Sequence, residues 1–166
     1  MRNCLHRIVR KPRKGDILGL RESKVRAIAV SDLIEKLRSE HEEIIRTLKE
    51  AKELCVSSLP GHEKLMSVRS LLFDHLAAED EFLYPLLRDA ASGSDRLRKV
   101  IDEFEEGSHE VRRRSRAFFE RYDMECSDME FIRDFALIML MLIERLALEE
   151  QVLYQEFDRL TARGRA

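Results

Sequence analysis

Six polar residues interrupt the apolar helical stripes of this chain: His41, His75, Glu79, Ser108, Arg145 and Glu149. Two imidazoles and two carboxylates among them are the donors of a metal site. His75 and Glu79 are four residues apart, so on a helix both side chains reach the same side, one turn from each other. With His41 from a neighbouring helix they form two nitrogen donors and one oxygen donor, the set that holds non-haem Fe(II) with coordination positions left open. Glu149 offers a fourth ligand. Each imidazole then needs an acceptor for its other ring nitrogen, and Glu42, Asp74 and Asp80 are the nearby acidic candidates. A buried polar group is costly without a partner, so the six residues are expected to share one layer.

The elements that would position that layer are four amphipathic helices, each with apolar residues at alternating steps of three and four. The first stripe is Ile34, Leu37, His41, Ile44, Leu48, Ala51, Cys55; the second is Leu65, Val68, Leu72, His75, Glu79, Phe82, Leu86. The third is Ile101, Phe104, Ser108, Val111, Ser115, Phe118, Tyr122; the fourth is Phe135, Ile138, Leu142, Arg145, Glu149, Val152. A capping pair, Asp32 and Glu35, starts the first helix, which runs to about Cys55. A loop through Ser57, Ser58, Pro60 and Gly61 leads to a second helix from His62 to Asp89, bent by Pro85. The turn Ser92, Gly93, Ser94 precedes a third helix ending near Tyr122, and Ser127 with Glu130 caps a fourth that ends near Leu160. Short connections between long helices predict an all-α, up-down-up-down antiparallel four-helix bundle.

At 166 residues the chain fits one domain with its own core. Hydrophobic residues at 44% and charged ones at 37%, with six Gly and three Pro, favour helices over strands. Residues 1–30 carry a charge of +7 and residues 31–166 a charge of −9. The leader is therefore read as a basic, disordered tail, and the bundle is assigned to residues 31–162. An acidic bundle makes nucleic acid an unfavourable partner. The longest apolar run, Phe135 to Ile143, is far shorter than the roughly 20 residues that span a bilayer, so no membrane is expected. Cys4, Cys55 and Cys126 share no metal-type spacing, and their odd number speaks against a disulfide framework, so a cytoplasmic setting is expected. The Phe135–Ile143 run is apolar all round, which predicts a homodimer through the fourth helix, with Met139 and Met141 in the contact.

The chain also repeats itself. A shift of 70 residues lays Leu72, Leu76, Ala77, Glu79, Leu83 and Tyr84 onto Leu142, Leu146, Ala147, Glu149, Leu153 and Tyr154. A shift of 67 lays the first stripe on the third, with His41 opposite Ser108; His75 lies opposite Arg145. Two copies of one helical hairpin are expected, the second lacking the histidines of the first.

The motifs Glu40-His41-Glu42, His75-Leu-Ala-Ala-Glu79 running on to Phe82-Leu83-Tyr84-Pro85, and Glu149-Glu150 followed by Leu153-Tyr154 resemble the hemerythrin-like (HHE cation-binding) domain family. The resemblance covers about residues 31–160 and implies an up-down bundle that holds two irons bridged by carboxylates. It implies oxygen binding, oxygen or nitric oxide sensing, iron handling or iron-sulfur repair. In that family one iron takes the histidines matching His41 and His75, and a second iron takes histidines that here are Ser108 and Arg145. Serine cannot replace imidazole, and a guanidinium repels a metal ion. One ion held by His41, His75, Glu79 and Glu149 is therefore favoured, with Arg145 standing where the second positive charge would be. Two ions are the alternative if His109, one position off its stripe beside Gly107, turns inward, with Glu144 as a further donor. A small ligand such as O2 or NO is the expected partner, and no separate nucleophile or acid–base arrangement predicts an enzyme. The competing reading is a metal-free interaction or regulatory module in which Arg145 and Glu149 form a buried salt bridge and the histidines are merely hydrogen-bonded.

Overall fold

Ser58, Ser94 and Asp128 stand with extended backbone just ahead of three helices. Each side chain accepts a hydrogen bond from the backbone N–H three residues on, those of Gly61, Leu97 and Phe131. Such caps satisfy donors that a helix start leaves orphaned, and they fix where each rod begins. The computed structural model describes the backbone of residues 14–124 and 128–163, and side chains of 32–124 and 128–159. Its elements are α1 (Lys14–Glu53), α2 (Leu59–Ala78), a π-helical turn (Glu79–Leu83), α3 (Tyr84–Ala90) and α4 (Asp95–Arg121). They continue as α5 (Met129–Leu148), a second π-helical turn (Glu149–Leu153) and α6 (Tyr154–Arg163). No strand occurs among the described residues. Because α2 runs through its π turn into α3, and α5 through its own into α6, four rods result, consistent with a four-helix bundle. α1 packs against α2, α5 and α6, while α4 packs against α2, α3 and α5.

Three boundaries differ from expectation. α1 starts at Lys14 rather than near Asp32, so residues 14–30 of the expected tail are helical. From Lys14 to Val30 no proline intervenes and Leu, Arg, Lys and Ala recur, so the helix continues without a break up to the expected capping pair. α2 begins at Leu59 because Ser58 caps it and Pro60 suits the first turn. The cap of α5 is Asp128; Ser127, the expected one, lies outside the described residues, as do His6, Cys4 and Cys126. Between α1 and α2, Cys55 takes a φ of 63° and is exposed, with Val56 buried in its place. A Cβ on Gly61 would lie 2.1 Å from the Cys55 carbonyl oxygen, so only glycine lets the chain close this turn.

The π turns account for the largest change in side-chain phase. In each, a backbone N–H reaches five residues back, from Tyr84 to the Glu79 carbonyl and from Tyr154 to the Glu149 carbonyl. One extra residue per turn shifts everything downstream by one position. The expected inward residues Phe82 and Leu86 are accordingly exposed and half-buried, and Leu83, Tyr84 and Leu87 are buried instead. The same slip replaces Val152 by Leu153, Tyr154 and Phe157. The third stripe, which has no π turn, is buried at all seven expected positions.

The apolar core is divided in two. One cluster holds Ile44, Leu48, Leu65, Leu72, Phe118 and Phe135 with their neighbours. The other holds Ile34, Leu37, Leu83, Tyr84, Phe104 and Tyr154 with theirs. The polar residues His41, His75, Glu79, Ser108, Arg145 and Glu149 fall between the two in every rod. Within the apolar run of α5, Phe135, Ile138 and Leu142 face the core. Met139 and Met141 are half-buried against it rather than exposed, because they flank that buried stripe. Among the described residues no helix is long and apolar enough to cross a membrane.

Candidate metal centre

His41 comes from α1, His75 from the last turn of α2, and Glu79 and Glu149 from the first residue of each π turn. All four side chains are buried, and one ligand atom from each lies within 4.8 Å of every other. The spacing rule for His75 and Glu79 holds: they lie on one side of the rod, Nε2 to Oε1 being 3.8 Å. His41 Nε2 is 3.2 Å from His75 Nε2, 3.3 Å from Glu149 Oε2 and 3.2 Å from the Tyr154 hydroxyl.

The outer nitrogen of each ring is held by a carboxylate. His41 Nδ1 lies 2.9 Å from Glu150 Oε1, and His75 Nδ1 lies 3.0 Å from Glu40 Oε2. A carboxylate can only accept here, so each Nδ1 carries a proton, and in the neutral ring each Nε2 then offers its lone pair inward. The two Nε2 atoms face each other across 3.2 Å. The acceptors expected from the sequence, Glu42, Asp74 and Asp80, do not fill this role; Asp80 pairs with Arg112 at 2.5 Å instead. Glu40 and Glu150 sit directly beside His41 and Glu149 in the chain, and that adjacency was the available signal.

Glu79 is 0% exposed, and neither of its oxygens has a hydrogen-bond partner. Burial, reinforced by the charge of Glu149, pushes its carboxyl well above the usual range. Glu149 feels the same burial, but the approach of His41 and the positive charge of Arg145 hold it below its ordinary value. Its Oε2 points into the layer, towards His41 Nε2. The layer thus presents an uncompensated buried carboxylate, a second carboxylate oxygen and two imidazole lone pairs within one small volume. That donor set fits a single divalent cation: mixed nitrogen and oxygen ligands of this kind suit iron, manganese or zinc.

The second half of the layer is built around Arg145. Its Nε pairs with Glu149 Oε1, and its Nη2 donates to the Phe104 carbonyl at 2.7 Å and the Tyr84 hydroxyl at 3.3 Å. The guanidinium lies over the Phe104 ring at 4.8 Å, a favourable cation–aromatic geometry. Gly107 makes room for it, since a Cβ there would stand 2.5 Å from Arg145 Nη1. Gly107 therefore marks space for a side chain rather than a helix irregularity, and α4 is α-helical throughout. His109 accordingly stays where a regular helix puts it. It is exposed on a shallow groove with Arg112 and Arg116, outside the four-residue cluster, and Glu144 is exposed as well. Ser108 is buried without a partner opposite His41 in the repeat.

Two site residues escaped the sequence reading. Tyr154 touches His41, and Tyr84, its equivalent 70 residues earlier, touches Arg145. Burial is the main force raising both phenols above their ordinary range, aided by the charges of Glu79 and Glu149. Both tyrosines appear in the internal repeat, but their inward direction depends on the π turns. A family model described as hemerythrin HHE cation binding domain matches residues 32–157. No curated protein and no solved structure matches the chain.

Proposed function

This chain belongs to the hemerythrin HHE cation-binding domain family, and we propose that it holds one non-haem iron ion between His41, His75, Glu79 and Glu149, through which it binds O2 or NO or handles iron. One observation carries the reading: two imidazole nitrogens face each other 3.2 Å apart beside a buried carboxylate with no partner. Without a cation, two neutral rings here set lone pair against lone pair and a buried carboxyl is left with no hydrogen-bond partner, a cost of several kcal/mol. With one, every orphaned atom gains a partner.

When bound, ferrous iron supplies a redox-active Lewis acid with coordination positions open to a small ligand. The chain's own residues do the rest. Glu40 and Glu150 hold the two Nδ1 protons and so keep both Nε2 atoms aimed inward. The Tyr154 hydroxyl, 3.2 Å from His41 Nε2, is a donor available to whatever is held there. The apolar clusters above and below limit the access of water. Arg145 supplies a fixed positive charge in the second half-site, which supports one ion rather than two. An up-down-up-down order of the rods also belongs to this reading. It is supported by the cores: α1 and α4 enter at the Leu37–Phe104 end, and α2 and α5 enter at the Leu65–Phe131 end.

The test is anaerobic loading with Fe(II), desalting and metal analysis, followed by optical spectra under O2 and under NO. Retained iron with ligand-dependent absorption is the expected result; a chain that keeps no iron contradicts it. A second reading, a metal-free interaction module, is favoured by the Arg145–Glu149 ion pair, which neutralises one of the two carboxylates. It leaves both oxygens of Glu79 without a partner.

A further inference from the structure

The outer face of α5 is written as a palindrome. Its exposed stripe is Met129, Arg133, Leu137, Leu140, Glu144, Leu148, with steps of four, four, three, four and four. Reversed end to end, the stripe lays Leu137 on Leu140, Arg133 on Glu144 and Met129 on Leu148, so apolar meets apolar and positive meets negative. Leu137 is 60% exposed, Leu140 53%, Met129 78% and Leu148 47%, far more than the inward residues of the same helix.

We propose that this stripe is the interface of a homodimer in which two copies of α5 pack antiparallel about a two-fold axis passing between Leu137 and Leu140. A two-fold contact requires a surface complementary to itself, each residue i meeting j while j meets i. The stripe satisfies that condition at all three pairs, including two symmetry-related Arg133–Glu144 ion pairs. Among the described residues Glu144 has no ion pair, and Arg133 reaches only Glu130 and Asp134, both on the same rod. Charge complementarity therefore selects a second copy in one register and one orientation. A parallel arrangement would set Arg133 against Arg133 and Glu144 against Glu144. The contact spans the 20 residues of α5, about 30 Å of helix, which places it among the smaller specific interfaces, so the dimer dissociates on dilution. The inference does not rest on the metal reading, since none of the six residues belongs to the centre.

The experiment is sedimentation equilibrium of the full chain over a concentration series, comparing wild type with R133E, E144R and the double variant R133E/E144R. Both substituted positions are exposed, so circular dichroism should report the same helicity in all four proteins. The proposal expects a monomer–dimer equilibrium in wild type. Each single exchange should weaken it by roughly tenfold or more, because like charges then face each other twice. The double exchange should restore it. A wild type that remains monomeric throughout, a dimer indifferent to the single exchanges, or a failure of the double exchange to recover would each overturn it.

Discussion

Glu79 is held in the most unfavourable surroundings of any residue in the polar layer: wholly buried, beside a second carboxylate, with both oxygens unpartnered. Such a group serves binding at the expense of stability. The account therefore predicts that Glu79→Met stabilises the metal-free protein by about 1–3 kcal/mol while removing iron retention, because an apolar side chain of similar size replaces a desolvated acid. Chemical denaturation of metal-free wild type and variant checks the sign, and a destabilised variant would count against the orphaned charge. Arg145 behaves in the opposite way. Cutting it to Ala leaves the buried Glu149 carboxylate without its counter-charge and the Phe104 carbonyl with the Tyr84 hydroxyl as its remaining side-chain donor, and a loss of about 3–5 kcal/mol is expected. Gly107 is coupled to it. Gly107→Ala alone should show little or none of the roughly 1 kcal/mol gain that alanine brings to a helix, because the added methyl meets the guanidinium. In the Arg145→Ala background that gain should appear, and a double-mutant cycle measures the difference.

At the level of elements, the two π turns decide which side chains enter the site. Each works as a one-residue insertion in a helix. Deleting the exposed Glu81 should close the first one into a regular turn while Leu83, Tyr84 and Leu87 keep their inward phase. The chain is thus expected to fold with its helicity intact, and circular dichroism with thermal melting tests this; an unfolded product would show that the turn carries the packing. The π turns also mark how far the sequence could be read. His41, His75, Glu79 and Glu149 were legible because each interrupts an apolar stripe, and a polar residue in such a stripe needs partners. Before the π turns, the 3.6-residue period assigns the inward face correctly. Beyond them it fails by one position, which is why Tyr84 and Tyr154 were missed and Phe82 was wrongly placed inside. Pro85 follows the first π turn, yet Gln155 stands at the matching place after the second, and the residues common to both, Glu, Leu and Tyr, suit a regular helix too, so nothing announces the change of period. The acceptors Glu40 and Glu150 were hard to single out among many flanking acids, since which of them faces a ring depends on the crossing of the rods.

Across the whole molecule, α2 and α5 start and stop at positions 70 residues apart, and so do the two π turns. The repeat is therefore one of backbone as well as sequence, with a His-lined half and an Arg-lined half facing each other across one layer. Because its four proposed ligands come from three rods, α1, α2 with its π turn and the π turn after α5, an ion held there would tie those rods together only in the folded state. Binding should raise the melting temperature with ion concentration, and chelation should reverse it. The degenerate half should also be open to reconstruction. Replacing Ser108 and Arg145 together by His restores the donor pattern of the first hairpin, and metal analysis of that variant should give a second ion; a content unchanged from wild type would argue against the repeat as the basis of the site. The most direct test of the central claim is the metal content of the wild-type chain after iron loading, read beside His75→Ala. The account predicts one iron per chain in the wild type and none in the variant, whereas no iron in either, or two in the wild type, would contradict it.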